Sequence, residues 1–475
     1  MHGELGTQEI EERLAQLEDA GLTRRLRLVS GPQGPTVLLD GQPVLLLCSN
    51  NYLGLADHPH VREAAAQAAM RWGVGTGASR LISGTMTVHR RLEERLASFA
   101  GRQACLLFGS GYLANLGVIG ALAGRGDTVF SDELNHASIV DGCRLSRAEV
   151  VVYRHADVEH LLWSMRRHGG RGNAQGGRLI VTDSVFSMDG DVAPLTEIVE
   201  LAHASGARIA VDEAHAIGTY GPGGRGVLAQ EGLEGEVDAI VGTLGKSLGS
   251  YGAYVCGDEE MVRYLLNTSR SFIFSTAPPP PSMAGALAAL ELLAERPHRV
   301  ERLSANARVL RRALGKEGFT VAENDMHIVP LVVGDEHDTL RLCQETIERG
   351  VFAQAIRPPT VAPGTSRLRL AAMASHTATD MRMAAEVIGS AARKLGLDPS
   401  QIGTPLHESA PAEAHEELER ELPPATTSAR AVPATAPFDI EQPRPRRPPA
   451  PGGLGSDDAA APFDGERESA VANAA

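Results

Sequence analysis

A chain of 475 residues exceeds what one small core can organise and fits a large domain with a smaller one beside it. With 43% hydrophobic and 22% charged residues, it has the make-up of a soluble globular protein with room for an enzyme-sized core. The formal charge of −14 is unevenly spread: residues 401–475 hold 13 acidic and 6 basic side chains, and the mild acidity left elsewhere argues against nucleic acid or an anionic membrane surface as a partner.

The five cysteines, Cys48, Cys105, Cys143, Cys256 and Cys343, are odd in number, far apart and without CxxC spacing, which points to neither a disulfide framework nor a zinc site. No apolar run reaches the roughly 18 residues of a membrane span. The segment opening Met1-His2-Gly3-Glu4 lacks the apolar stretch of a secretion signal and is too acidic for a transit peptide, so the expectation is a cytoplasmic protein with reduced thiols.

In chain order, Ile10, Leu14, Leu17 and Leu22 recur at helical spacing and predict an amphipathic helix over residues 8–27. Residues 36–47, broken by Asp40-Gly41-Gln42-Pro43, read as a hairpin with an Asp-Gly turn. Seven apolar strands are then expected at 104–108, 128–131, 150–153, 179–183, 209–212, 239–242 and 253–256, mostly separated by helices such as 113–123 and 195–204. That alternation means a mostly parallel seven-stranded sheet with helices on both faces. The last two strands lie too close for a crossover, so one of them must run antiparallel.

After Pro278-Pro279-Pro280-Pro281 a helix over 283–295 leads out of this domain, and a strand at 328–333, a helix at 340–350, a strand at 367–371 and a helix at 378–395 predict a small α/β domain. The expected division is therefore an N-terminal helix and hairpin (1–55), a large domain (56–282), a small C-terminal domain (283–397) and a disordered tail (403–475). The tail has no Trp, Tyr, Cys, Met or Lys and holds 12 of the 28 prolines, too little apolar surface to offset the entropy of ordering. A cut after Leu397 is expected to leave the folded part unchanged.

In open parallel sheets, ligands bind beyond the carboxyl ends of the strands, where Ser131-Asp132, the stretch Thr182 to Gly190 and Asp212 all fall. The turn Thr243-Leu244-Gly245-Lys246-Ser247-Leu248-Gly249 follows the strand ending in Asp212-Glu213-Ala214-His215 by about thirty residues. A lysine between glycines is by itself an ordinary solvated turn. Paired with a strand-end carboxylate it matches the needs of pyridoxal phosphate: an amine for the cofactor aldehyde and a carboxylate to keep the pyridine nitrogen protonated. Phe108-Gly109-Ser110-Gly111-Tyr112 ends a strand and opens a helix, where free N–H groups suit a phosphate, although a plain glycine turn has the same form. Thr243 adds a hydroxyl to that phosphate, and His136 offers an imidazole to lie over the ring.

Ser49-Asn50-Asn51-Tyr52-Leu53-Gly54-Leu55, Gly75-Thr76-Gly77-Ala78-Ser79-Arg80, Asn135-His136-Ala137-Ser138, Ser187-Met188-Asp189-Gly190-Asp191, Asp212-Glu213-Ala214-His215 and the Lys246 turn form an ordered series. In that series the chain, over about residues 20–395, resembles the α-oxoamine synthases, pyridoxal phosphate enzymes of the type I aminotransferase fold. Ile356-Arg357-Pro358-Pro359-Thr360-Val361 and Arg367-Leu368-Arg369 are most similar to the members that condense L-alanine with a pimeloyl thioester, carried by coenzyme A or an acyl carrier protein. The resemblance thus implies an acyltransferase of biotin biosynthesis that releases an amino-oxo acid, carbon dioxide and free thiol.

Position by position, the resemblance implies Lys246 as the Schiff-base lysine, Asp212 at the pyridine nitrogen and His215 at the phenolic oxygen. It makes His136 the stacking residue and an acid in condensation, and brings Ser187 to the cofactor. Gly111, Tyr112 and Thr243 fall on the phosphate side, and Ser275 and Thr276 reach the phosphate from the partner of a homodimer. Arg369 holds the amino-acid carboxylate, a task suited to its bidentate fork. Thr360 and Arg24 contact substrate, with Arg25 and Arg27 beside Arg24 as alternatives. No metal is implied. Members that use glycine with acetyl or succinyl thioesters remain alternatives: Ser79 stands where the 5-aminolevulinate enzymes carry threonine, a difference of one methyl group. A scaffold subunit without chemistry would lack the lysine that this chain has.

Overall fold

The computed structural model describes residues 2–168 and 176–403, so the tail expected from composition lies outside them except for Gly403. The hairpin forms from β1 (Val29–Ser30), β2 (Thr36–Leu39) and β3 (Gln42–Leu46), with Leu39 opposite Gln42. Its two-residue turn puts Asp40 at φ 48° and Gly41 at φ 85°. Those left-handed values match the twist of the flanking strands, which is why Asp-Gly occurs there.

The main sheet comprises β4 (Ala104–Phe108), β5 (Thr128–Asp132), β6 (Glu149–Tyr153), β7 (Arg178–Asp183), β8 (Arg208–Asp212), β9 (Ala239–Thr243) and β10 (Ala253–Gly257). Its order is β4-β10-β9-β8-β7-β5-β6. Only β10 is antiparallel, to both its neighbours. The short lysine turn between β9 and β10 cannot hold a crossover, so the chain must reverse there. Alternate residues bury on opposite faces: Leu106, Leu179, Val181 and Val241 pack with the helices Gly111–Leu122 and Ala137–Ser146, while Leu107, Ile180, Val211 and Ile240 join the larger core on the other side.

A second sheet, ordered β11-β14-β13, is made by β11 (Ile328–Gly334), β13 (Gln354–Ile356) and β14 (Ser366–Ala371), all antiparallel. Between β11 and β13, β12 (Val351–Phe352) pairs in parallel with β3 and so extends the N-terminal hairpin into a four-stranded sheet.

Two expectations change. The first helix spans His2–Asp19 and does not reach residue 27. Gly21, at φ 64°, ends it, and residues 22–28 carry no regular structure, so Leu22 is not on the helical stripe. At the other end, order continues past Leu397. The N–H of Val332 donates to the Gly403 carbonyl (2.7 Å), that of Thr320 to the Ile402 carbonyl (3.2 Å), and Ile402 is 3% exposed. These contacts make a cut after Leu397 harmful: the shortened chain should melt below one ended after Gly403, because losing the buried isoleucine alone costs about 2 kcal/mol, or roughly 2–3 °C at this size. Equal melting curves by calorimetry would contradict this.

Candidate active site

The lysine turn is fixed by its own backbone. Leu244 N–H donates to the Gly252 carbonyl, Ser250 N–H to that of Leu244 and Gly249 N–H to that of Lys246, each at 2.9 Å. The Thr243 hydroxyl accepts from Gly245 N–H and donates to the Gly252 carbonyl, both at 3.2 Å, so it serves the turn itself. Gly249 sits at φ 59°, and a Cβ there would come within 2.3 Å of the Ala56 backbone nitrogen. Only glycine lets the turn press against that segment.

Lys246, one of only three lysines in the chain with Lys316 and Lys394, points its Nζ at Nε2 of His215, 2.7 Å away. Burial pulls its amine down to about 8, against the opposing pull of Asp212 and Asp183. The two carboxylates end adjacent parallel strands and stand opposite each other in register. Asp212 Oδ1 accepts from Ala214 N–H (2.8 Å) and Oδ2 from Asn115 Nδ2 (2.7 Å). Asp183 accepts from His136 N–H (2.8 Å), and its carboxyl is raised well above the usual range, by burial first and by Asp212 second. Burial likewise lowers the His136 imidazole.

Opposite the lysine, Arg369 donates through Nε to the Ser187 carbonyl (2.5 Å), through Nη1 to Asn50 Oδ1 (3.3 Å) and through Nη2 to the Tyr52 hydroxyl (3.1 Å). Tyr52 in turn lies 2.8 Å from both Asn50 Oδ1 and His215 Nδ1. One proton assignment satisfies the group: Lys246 donates to His215 Nε2, His215 Nδ1–H donates to Tyr52, and Tyr52 O–H donates to Asn50. Burial, with the Lys246 cation beside it, keeps His215 well below its ordinary value and hence neutral.

The loop carrying Ser187 is clamped from two sides. Arg367 pairs with Asp189 (2.5 Å) in a buried bridge. His155 bridges Asp132 (3.0 Å) and Asp191 (2.6 Å); burial alone would depress its imidazole, but those hydrogen bonds push it up to about 10.

These bonds bring Lys246, Asp212, His215, His136, Arg369 and Ser187 together, with Ser187 engaged through its carbonyl. Tyr112 sends its hydroxyl to Asp141. Thr276 and Ser79 form a backbone bridge, so Ser275 and Thr276 are held by the Ala78–Ser79 segment. Arg24 and Thr360 line a separate cleft of about 800 Å³ with Arg25, Arg27, Ile356 and Arg357. Asn50, Tyr52, Asn115, Ser138 and Asp183 are site residues that residue-by-residue reading passed over; Asn50, Tyr52 and Ser138 stood inside quoted motifs, whereas Asn115 carried no signal beyond lying one helical turn after Gly111.

Pyridoxal phosphate fits this set. Among the described residues, no group accepts from the N–H of Gly111 or Tyr112, the first two of their helix, and a Cβ on Gly111 would meet nothing within 4 Å. That is an anion cradle on the same edge as the Lys246 amine and a fixed carboxylate.

A model of the class I and II aminotransferases matches residues 42–388. The chain belongs to that family. It is 49% identical to the 8-amino-7-oxononanoate synthase of Geobacter metallireducens over 389 residues, 81% of this chain and 98% of that protein. Against the same-named protein of Anaeromyxobacter dehalogenans strain 2CP-1 it is 52% identical over 368 residues, 78% of this chain and 91% of the other. Among solved structures, a serine palmitoyltransferase variant from S. paucimobilis with bound PLP and myriocin superposes with a TM-score of 0.77 at 35% identity, covering 82% of this chain and 98% of that one. The fold is the type I aminotransferase fold, and the match to the class I and II aminotransferases takes in every residue bonded around Lys246 while leaving Arg24 outside.

With only three lysines, the amine can be followed by name. Competitive labelling of the cofactor-free protein, read by peptide mapping, should titrate Lys246 with a midpoint near 8, below the ordinary lysine value of about 10.4. A midpoint for Lys246 above 10 would contradict the burial argument.

Proposed function

We propose that the chain is an acyltransferase that condenses L-alanine with a pimeloyl thioester, carried by coenzyme A or an acyl carrier protein, to give 8-amino-7-oxononanoate, carbon dioxide and free thiol in biotin biosynthesis. The observation that carries this reading is the buried Lys246 amine, 2.7 Å from His215 and beside Asp212, in a chain that matches 8-amino-7-oxononanoate synthases over nearly their full length. Bound pyridoxal phosphate supplies an electron-withdrawing ring next to the reacting carbon. Lys246 and Asp212 would hold it, and the N–H groups of Gly111 and Tyr112 would bond its phosphate.

Arg369 binds the carboxylate of alanine, its fork aimed by Ser187, Asn50 and Tyr52. Lys246, whose amine burial pulls down to about 8, moves the proton at the alanine Cα, and His215 Nε2, 2.7 Å away, orients that amine by accepting from it. The cleft with Arg24 and Thr360 takes the acyl group: Val29, Leu39, Phe352 and Ile356 suit methylenes and the arginines an anionic end. No described helix is long and apolar enough to cross a membrane, in keeping with work in the cytoplasm.

The homodimer and the division into a large domain (56–282) and a smaller one (283–397) belong to the same reading. Phe274 is 72% exposed and Ile82 81%, and they flank the Ser79–Thr276 bridge with Leu81. Apolar side chains left open beside a bridge that presents Ser275 and Thr276 are what a second copy would cover.

Thiol release should be fastest with alanine and a pimeloyl thioester in a panel that crosses alanine and glycine with acetyl, succinyl and pimeloyl donors; faster turnover of glycine would move the chain to another branch. Asp212→Asn should keep the cofactor and lose on the order of 10²–10⁴-fold in kcat, because an amide cannot hold the ring proton. In Arg369→Gln the KM for alanine should rise about 10–100-fold by steady-state kinetics, the size of a lost charged hydrogen bond.

A further inference from the structure

Asn115 and Ser138 lie outside every role assigned above except that Asn115 holds Asp212. Both are buried, at 3% and 0% exposure, on the helices Gly111–Leu122 and Ala137–Ser146. The amide of Asn115 has two N–H bonds to give: Nδ2 lies 2.7 Å from Asp212 Oδ2 and 2.9 Å from the Ser138 hydroxyl oxygen. A hydroxyl that accepts from an amide keeps its own proton to donate, and His136 Nδ1 stands 2.7 Å away. The backbone N–H of Ser138 points at the same Nδ1 from 3.2 Å. With two donors converging on it, Nδ1 has no room for a proton.

We propose that Asn115 and Ser138 are positioning residues, a relay running from Asp212 to His136 that holds the imidazole neutral with its proton on Nε2. It rests on the reading that Asp212 and His136 both serve the cofactor. The polarity runs one way: the Asp212 carboxylate orients the Asn115 amide, the amide orients the Ser138 hydroxyl, and the hydroxyl fixes the histidine tautomer. Because Asn115 can supply both bonds only in one rotation, the carboxylate and the imidazole are set together. An imidazole bearing its hydrogen on Nε2 can donate to a carbonyl oxygen through that atom and cannot take a proton there. The relay therefore commits His136 to the role of donor, toward the thioester carbonyl or the carboxyl group about to leave, and reserves the task of base for Lys246. The helix that carries Asn115 also begins at the open N–H groups of Gly111 and Tyr112, so the anion cradle and the relay are built on one rigid element.

The test uses the cofactor-loaded enzyme and two substitutions, Ser138→Ala and Asn115→Leu. Nitrogen NMR of histidine-labelled protein, with the His136 signals identified by their loss in His136→Ala, should show a protonated Nε2 and an unprotonated Nδ1 in the parent. In Ser138→Ala the two nitrogens should move toward each other as the second tautomer becomes populated. kcat should fall about 5–10-fold while the KM for alanine stays within about twofold, the size of one neutral hydrogen bond acting on chemistry and not on binding. In a His136→Ala background, Ser138→Ala should lower kcat no further, and the Asn115→Leu, Ser138→Ala double variant should be no worse than Asn115→Leu alone. A role confined to packing would give the same loss in every background. Unchanged His136 nitrogens in Ser138→Ala, or additive losses in kcat, would overturn the relay. Failure of the parent to turn over alanine and a pimeloyl thioester would remove the proposed reaction and leave the tautomer result standing on its own.

Discussion

The structure depends on how one buried cation is balanced at the carboxyl edge of a parallel sheet. Lys246 is drawn out of water by the turn that carries it, and the groups that oppose this are the carboxylates ending β7 and β8, in register with each other. Strand geometry makes this possible: parallel neighbours with matched ends bring Asp183 and Asp212 side by side, and the reversal at β10 returns the chain so that the lysine turn closes on the same edge. Burial first, and the neighbouring Asp212 second, raise the Asp183 carboxyl well above its usual range. Asp183 accepts the backbone N–H of His136, while Asp212 accepts from Ala214 N–H and the Asn115 amide.

The second sheet contributes through the two-residue period of a single strand. Arg367 and Arg369 lie on one side of β14, as alternate residues must, and both reach the loop from Ser187 to Asp189. Arg369 then continues through Tyr52 to His215 and Lys246, so the guanidinium on the second sheet is bonded, through two side chains, to the amine on the lysine turn. That coupling joins four separate stretches of chain, held in place in part by the pairing of β14 with β11 and β13 and of β12 with β3. The clamp of His155 between Asp132 and Asp191 secures the same loop from the main sheet, and its raised imidazole keeps the bridge charged through neutral pH.

Much of this was legible in the sequence. The seven main strands stand out because buried parallel strands are continuous apolar runs, and their ends move by only a residue or so in the structure. Lys246 and Asp212 were legible as a pair, an amine on a glycine turn and a carboxylate at a strand end, whereas His215 and Arg369 were legible only through the resemblance to the α-oxoamine synthases. Asn115 and Ser138 were not: a short polar residue inside a helix reads like any other, and only the third dimension shows that one amide meets both a carboxylate and a hydroxyl. Nor could residue spacing say that Gly21 stops the first helix, since the apolar period runs on through Leu22 while the backbone turns left-handed. The extension of order to Gly403 depends on pairing with Val332, some seventy positions earlier, which composition does not register.

Burial also gives the site a pH signature of its own. Glu213, next to Asp212, is pushed up to about 7 by burial, even though it accepts from the N–H groups of Val227 and Leu228. From its ordinary value near 4.3 up to 7 the folded state holds a proton that the unfolded chain has released, so this group lowers stability as pH rises through that window. Lys246 acts in the opposite sense: between about 8 and its ordinary value the unfolded chain holds the extra proton, and stability rises with pH. Between 7 and 8 both groups are charged in the fold, and both work against it. Neutral pH is thus where the cofactor-free site bears most of its electrostatic cost, and a cofactor that binds only the folded chain offsets that cost by mass action. The features that make Lys246 a ready amine are the same ones that make the cofactor-free fold pay for it in stability.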